Sequence, residues 1–340
     1  MKAPYTLFKK HVLSNGLTIY HATWPGEKWH SLGFVINVGA RHDPLNKEGV
    51  AHFLEHCVSQ STTENMDKLS ATLSDRGGGM NLGVTSHNST TYTFSSPIKG
   101  GYFEKTLAAF GEMLLGLENF QKVERERKVI LSEFHRHFPL MSRFKLGVKM
   151  RKILYPGYWL ERQLNPIGKR ETILNFTEDD LMDFYNRFYI PENISIVSMG
   201  GLTQKELVKA LSSTHFSIKK AGEKTVRPET IEPPKIKTRR METTFEKLYG
   251  KKMNLRSSEV LFVSTLHGNI NIPTIRIAED MLNFELFEKI RQEHGLAYHV
   301  DIGRFRLISF SEFSVELEGV KNGTEKKIEK IFDKTLEDLS

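Results

Sequence analysis

The sequence predicts an α+β protein of two related domains, each a mostly antiparallel sheet with helices packed on one side, the second of them shortened. Three observations carry that expectation. Segments with period-two, β-branched patterning alternate with segments of helical apolar spacing along the 340 residues. Residues 217–240, with Pro228, Pro233, Pro234 and a run of basic side chains, break the pattern. Beyond the break, the order strand, helix, strands, helix repeats the start of the first half. The expected division is 1–216, a linker at 217–240, and 241–340.

The elements follow in order. Residues 10–23 read as a hairpin turning at Asn15 and Gly16, and residues 31–39 as a strand. Gly49 opens a helix that carries His52, Glu55 and His56, and residues 64–75 make an amphipathic helix stopped by Gly77, Gly78 and Gly79. Met80 to Phe94 alternates and is rich in Thr, as one strand or a pair. Helices are expected over 102–118 and 122–137, over Thr177 to Tyr189 with Thr177 as cap, and over 203–212, with a buried strand from Ile194 to Met199. In the second half, strands are expected at 241–249, 258–266, 296–303 and 307–318, and helices at 273–294 and 322–339.

Hydrophobic residues make up 39% of the chain and charged residues 26%, the balance of a globular protein with real cores. Cys57 is the single cysteine, which excludes an intramolecular disulfide framework and a cysteine-rich zinc site. Any metal must be held by histidines and carboxylates. No apolar stretch approaches the roughly 18 residues of a membrane span, and the N-terminus lacks the apolar core of a secretory signal. A cytoplasmic location without membrane contact is expected. The formal charge of +7 is spread along the chain. Its densest run, Lys235, Lys237, Arg239 and Arg240, reads as a solvated linker, so no nucleic-acid partner is expected.

The chemistry concentrates on the first long helix. His52 and His56 are four residues apart and share a helix face, where two imidazoles can bind one small ion. Zinc suits such nitrogen and carboxylate donors. Glu55 stands beside the pair, placed to take the proton of an attacking water that the metal acidifies, and then to hand it to the leaving amine. A third protein ligand is needed. Glu126 and Glu133 are the candidates, seven apart on one helix face, one for the metal and the other to orient a ligand.

The stretch from Val38 through Gly49, His52, Glu55 and His56 resembles the pitrilysin/insulinase family of inverted zincins, whose motif is H-x-x-E-H. The resemblance implies a zinc metalloendopeptidase. The interval from His56 to Glu133 (133 − 56 = 77) matches the family's spacing to its third ligand and implies Glu133 in that role, with Glu126 as the supporting carboxylate. Gly77 to Leu82 resembles the family's glycine-Asn-Ala segment, which implies that Asn81 and Leu82 lie where substrate binds. There the family lays an extended peptide along an edge strand. Tyr189, Pro191 and Asn193 resemble the end of the family's first domain. Phe287, Arg291, Gly295 and Tyr298 resemble its Arg/Tyr motif, implying that Arg291 holds a substrate carbonyl and Tyr298 donates to the developing oxyanion. The implied partners are a peptide substrate and a homo- or heterodimeric chain of the same family.

The chain departs from the family in places. Leu82 replaces a small residue and His87 an acidic one, and Cys57 follows the second histidine where an apolar residue is usual. The second domain is shorter than its counterparts. A short natural variant, a fragment, and a chain that needs a partner to close its cavity are the readings open for that length, and a non-catalytic or partner-dependent subunit of the same fold is the alternative function.

Overall fold

The computed structural model describes residues 7–138, 141–162, 165–218, 257–267, 271–306 and 310–339. The strand expected at 241–249 and all of the expected linker beyond residue 218 lie outside them. The chain divides into two compact units, Met1–Lys152 with Pro156–Arg227, and Ile153–Tyr155 with Pro228–Ser340.

The first unit is built on six strands, β1 (Lys9–Val12), β2 (Thr18–Thr23), β3 (Trp29–Ile36), β4 (Gly79–Thr85), β5 (Thr90–Pro97) and β6 (Ile194–Gly200). Their order in the sheet is β1-β2-β6-β3-β5-β4. Every neighbouring pair is antiparallel except β2 and β6, which run parallel from Thr18 opposite Ser195 to Thr23 opposite Gly200. The helices are α1 (Val50–Gln60), α2 (Met66–Ser74), α3 (Tyr102–Leu115), α4 (Val123–His137), α5 (Met141–Leu154), α6 (Arg170–Asn175), α7 (Glu178–Phe188), α8 (Gln204–Leu211) and α9 (His215–Ile218). Among the described residues, no helix is long and apolar enough to cross a membrane.

Alternation decides which sheet face is covered. Ile19 of β2, Phe34 and Ile36 of β3, and Tyr92 and Phe94 of β5 are all buried. Phe34 stacks on Phe216 at 5.1 Å and on Phe110 at 5.2 Å between ring centroids, joining the sheet to α3 and α9. The expectation of a wholly buried strand at 194–199 is corrected. Ile194 and Ile196 are buried, whereas Val197 and Met199 are 40% and 42% exposed on the opposite face. The apolar run marks a central strand of a one-sided sheet. Helices α5 and α6 were not expected. Arg143, Lys145, Lys149, Arg151 and Lys152 interrupt any apolar stripe along α5, and α6 has only six residues.

A polar network lies inside this core. Ser198 of β6 sits between His21 of β2 at 3.1 Å and His30 of β3 at 2.7 Å, and His30 meets Phe103 edge-on at 5.5 Å. Burial, reinforced by the His21 charge, lowers the His30 pKa from 6.5 to about 4. The folded pKa lies below the unfolded one. The stabilisation from neutral His30 is therefore complete above pH 6.5 and is lost as pH falls toward 4. Between pH 7 and 4.5 the chain is expected to lose about 2–3 kcal/mol of stability through this group. Denaturant melts at the two pH values check this: His30→Gln should show a flatter pH dependence than the parent.

The second unit is a three-stranded antiparallel sheet of β7 (Ser257–His267), β8 (His299–Arg306) and β9 (Phe310–Lys321), in the order β7-β9-β8. One helix, α10 (Ile272–Leu286), runs on as a π-helical segment, Phe287–Glu293, and α11 (Glu325–Leu339) closes the unit. Leu282, Leu286, Ile290, Val315, Leu317, Val320 and Ile328 form its core, so the helices cover one face of the sheet here too.

Candidate metal centre

The helix that carries the motif is held at its first turn. Gly49 precedes it with φ of 100°, a left-handed conformation that suits glycine. A Cβ there would lie 2.5 Å from the Ile167 carbonyl oxygen. The buried Asp43 carboxylate accepts the N–H groups of Gly49 at 2.6 Å and Ala51 at 3.1 Å, satisfying donors that no helical carbonyl can reach. Val50, Phe53, Leu54, Cys57 and Val58 pack into the core, which fixes the rotation of α1 and hence the direction of His52, Glu55 and His56.

Helix α4 is locked against α1 by Arg127. Its guanidinium lies 5.3 Å from the centre of the Phe53 ring and donates to the Phe176 carbonyl at 2.7 Å and to the Ile173 carbonyl. Glu126 and Glu133 then share the face of α4 turned to the histidines. Sequence reasoning named neither Asp43 nor Arg127 as a positioning group. An acidic residue shortly before a glycine-led helix is the one local signal for the first.

Glu133 Oε2 lies 3.6 Å from His52 Nε2 and 3.5 Å from His56 Nε2. One ligand atom from each of the three residues falls within 4.8 Å of the others, the one such group among the described residues. Three donors at about 2.0–2.2 Å from a tetrahedral zinc ion stand about 3.3–3.6 Å apart. The two Glu133–histidine separations fit that edge, and they are long for hydrogen bonds. Glu126 Oε2 lies 3.4 Å from His56 Nδ1, the nitrogen turned away from Glu133. It can therefore fix the tautomer that leaves Nε2 free to ligate.

The electrostatics suit a cation. Burial, with the neighbouring His56, lowers the His52 pKa to about 4, so its imidazole is neutral near pH 7. The contact with His56 holds the Glu133 carboxyl down at about 2, keeping it ionised. For His56, burial favours the neutral ring, but the contact with Glu133 and the surrounding carboxylates outweigh it and raise the pKa. Ligation of a metal through Nε2 would require the neutral ring, so metal affinity at this site would fall as pH falls.

Glu55 is 8% exposed, and burial raises its pKa against the lowering effects of His56 and Thr85. Thr85 Oγ1 of β4 donates to Glu55 Oε2 at 2.9 Å. His137, also unanticipated, lies 3.5 Å from the outer oxygen of Glu133. Asn81 is exposed on β4 with its side-chain oxygen accepting the Gly83 N–H at 2.9 Å, and Leu82 is half-buried against the core. Cys57 is fully buried, and burial pushes its thiol pKa up, consistent with an inert side chain. Arg291 and Tyr298 belong to the second unit. The Arg291 guanidinium lies 5.1 Å from the ring centres of both Tyr298 and Phe287, and Tyr298 is 73% exposed.

Glu126→Ala is expected to weaken metal binding by about 10–100-fold while leaving one site per chain. Competition against a chromophoric chelator measures it. Unchanged affinity would show that Glu126 does not act through His56.

Comparisons with known proteins agree with this architecture. Residues 21–137 match the insulinase (peptidase family M16) profile, and residues 175–340 match the peptidase M16 inactive domain. The chain is 23% identical over 300 residues to the uncharacterized zinc protease YmxG of Bacillus subtilis, covering 86% of this chain and 69% of that one. It is 28% identical to the mitochondrial-processing peptidase subunit beta of Lentinula edodes over 60% of this chain, but spans only 43% of that relative. A crystal structure of a protease from Helicobacter pylori superposes with a TM-score of 0.72 at 21% identity, over 98% of this chain and 79% of that one. Pitrilysin superposes at 0.68 and 16% identity, over 98% of this chain and 36% of that one. With both M16 profiles matched in order along one chain, and the fold of M16 proteases around it, this protein belongs to the insulinase (M16) peptidase family.

Proposed function

We propose that the chain is a zinc-dependent endopeptidase that hydrolyses short or unfolded peptides bound in extended form. The observation that carries this reading is the convergence of His52 Nε2 and His56 Nε2 on Glu133 Oε2, at 3.6 and 3.5 Å, with the Glu55 carboxylate one residue from His56 on the same helix. Relatives named as zinc proteases support the choice of metal. Zinc, when bound, supplies Lewis acidity toward a peptide carbonyl and makes water more acidic.

The chain's own groups supply the proton transfers. Glu55 accepts the proton of the attacking water, helped by burial that raises its basicity. The same carboxyl then gives the proton to the departing amine nitrogen. Glu126 holds His56 in the ligating tautomer. Arg291 and Tyr298, paired on the second unit, are assigned to a substrate carbonyl and to the developing oxyanion.

Among the described residues strand β4 ends the sheet, with no strand paired to its outer side. An extended peptide adding there gains main-chain hydrogen bonds with little demand on sequence. Asn81 and Leu82 are the proposed contacts. A second chain of the same family is the proposed partner, a reading supported by the relative named as a subunit.

The test is a mixture of unstructured peptides and a stable folded protein, incubated with the chain alone and with a chelator. Internal cleavage of the peptides, suppressed by chelator, with the folded protein left intact, is the expected result. Cleavage that survives chelation, or none in the presence of zinc, would contradict the reading.

A further inference from the structure

The edge strand beside the metal centre carries one residue more than its partner. Asn81 stands opposite Thr93 and Val84 opposite Thr91, so three steps along β4 are matched by two along β5. The extra residue is a β-bulge at Leu82 and Gly83. Gly83 has φ of 150°, which L side chains rarely adopt. The Asn81 side chain bonds to the Gly83 N–H at 2.9 Å and closes the bulge from within.

The bulge changes which face each residue presents. In a regular strand Asn81 and Thr85, four apart, would point the same way. Here Asn81 pairs with the exposed Thr93, while Thr85 pairs with the fully buried Thr90. Thr85 is thereby turned to the helix-covered face, where its hydroxyl meets Glu55 Oε2 at 2.9 Å. The same distortion brings the Gly83 backbone against the Glu55 side chain. A Cβ at Gly83 would lie 2.3 Å from both Cγ and Oε1 of Glu55.

We propose that this bulge is a positioning device for Glu55, with Thr85 tethering one carboxylate oxygen and Gly83 leaving room for the other. Neither residue touches the reacting atoms. Both act by confining the proposed base to one orientation, which matters because a displacement of about 1 Å can cost about 100-fold in rate. The catalytic consequence rests on the peptidase reading above, whereas the contact itself does not.

Two sets of variants test it. Thr85→Val keeps the shape and removes the donor, and Thr85→Ser keeps the donor. On a quenched peptide, Thr85→Val should lower kcat by about 10–100-fold with KM and zinc content close to the parent's. Thr85→Ser should recover most of the loss. The second set is read by thermal midpoint in zinc-free protein without substrate. Gly83→Ala should lower the midpoint, and Glu55→Ala in the same chain should restore part of it by removing the atoms the new methyl meets. Full activity in Thr85→Val, an equal loss in Thr85→Ser, or a Gly83→Ala effect independent of Glu55 would overturn the proposal. If the parent cuts no peptide, the peptidase reading fails, and the midpoint arm still decides whether Gly83 and Glu55 are coupled.

Discussion

Glu55→Gln is expected to lower kcat for peptide cleavage by about 1,000-fold, while zinc content and KM stay close to those of the parent. The carboxamide has the size of the carboxylate, and its oxygen can still accept the Thr85 hydroxyl. The three candidate ligands are untouched. What disappears is a group that can take a proton from water and return it to the amine nitrogen. The split is informative because a misfolded variant would lose zinc and raise KM as well. Rapid turnover by Glu55→Gln would place the base elsewhere.

Glu133→Gln should have the largest effect on the metal. Glu133 Oε2 is the one oxygen facing both imidazoles of the cluster, and its carboxyl is held near pKa 2, so it is ionised near pH 7. The amide removes that charge and leaves two imidazoles. Since a supporting partner alone is worth about 10–100-fold, loss of a direct ligand should weaken zinc by more than about 100-fold. The consequence extends to stability. A metal bound only by the folded chain stabilises it by about 4 kcal/mol at a thousand times its Kd. Added zinc should therefore raise the thermal midpoint of the parent and leave that of Glu133→Gln almost unchanged.

The parts of this picture legible in the sequence are those governed by local spacing. His52, Glu55 and His56 need only the helical repeat, and Gly49, Thr177 and Thr203 each mark a helix start that the structure shows. The choice between Glu126 and Glu133 was not legible from spacing, because both lie on one face of α4. The resemblance singled out Glu133, and in the structure its Oε2 faces both Nε2 atoms while Glu126 faces Nδ1. What stayed hidden depends on pairing between distant segments. Thr85 reaches Glu55 only because of a bulge, and a bulge is a mismatch of register between two strands. The place of β6 between β2 and β3, parallel to the first and antiparallel to the second, requires the chain to return after about 160 residues. Helix α5 was missed because its basic residues hide any apolar stripe.

The central claim is that one zinc ion held by His52, His56 and Glu133 makes this chain a peptidase. The most direct measurement is a titration of zinc into chelator-stripped protein, following cleavage of a quenched unstructured peptide at each addition. The account predicts no cleavage at the start, a rise in proportion to added zinc, and a plateau at one equivalent per chain. Full cleavage by the stripped protein, or a chain that takes up one equivalent of zinc and still cuts nothing, would contradict it.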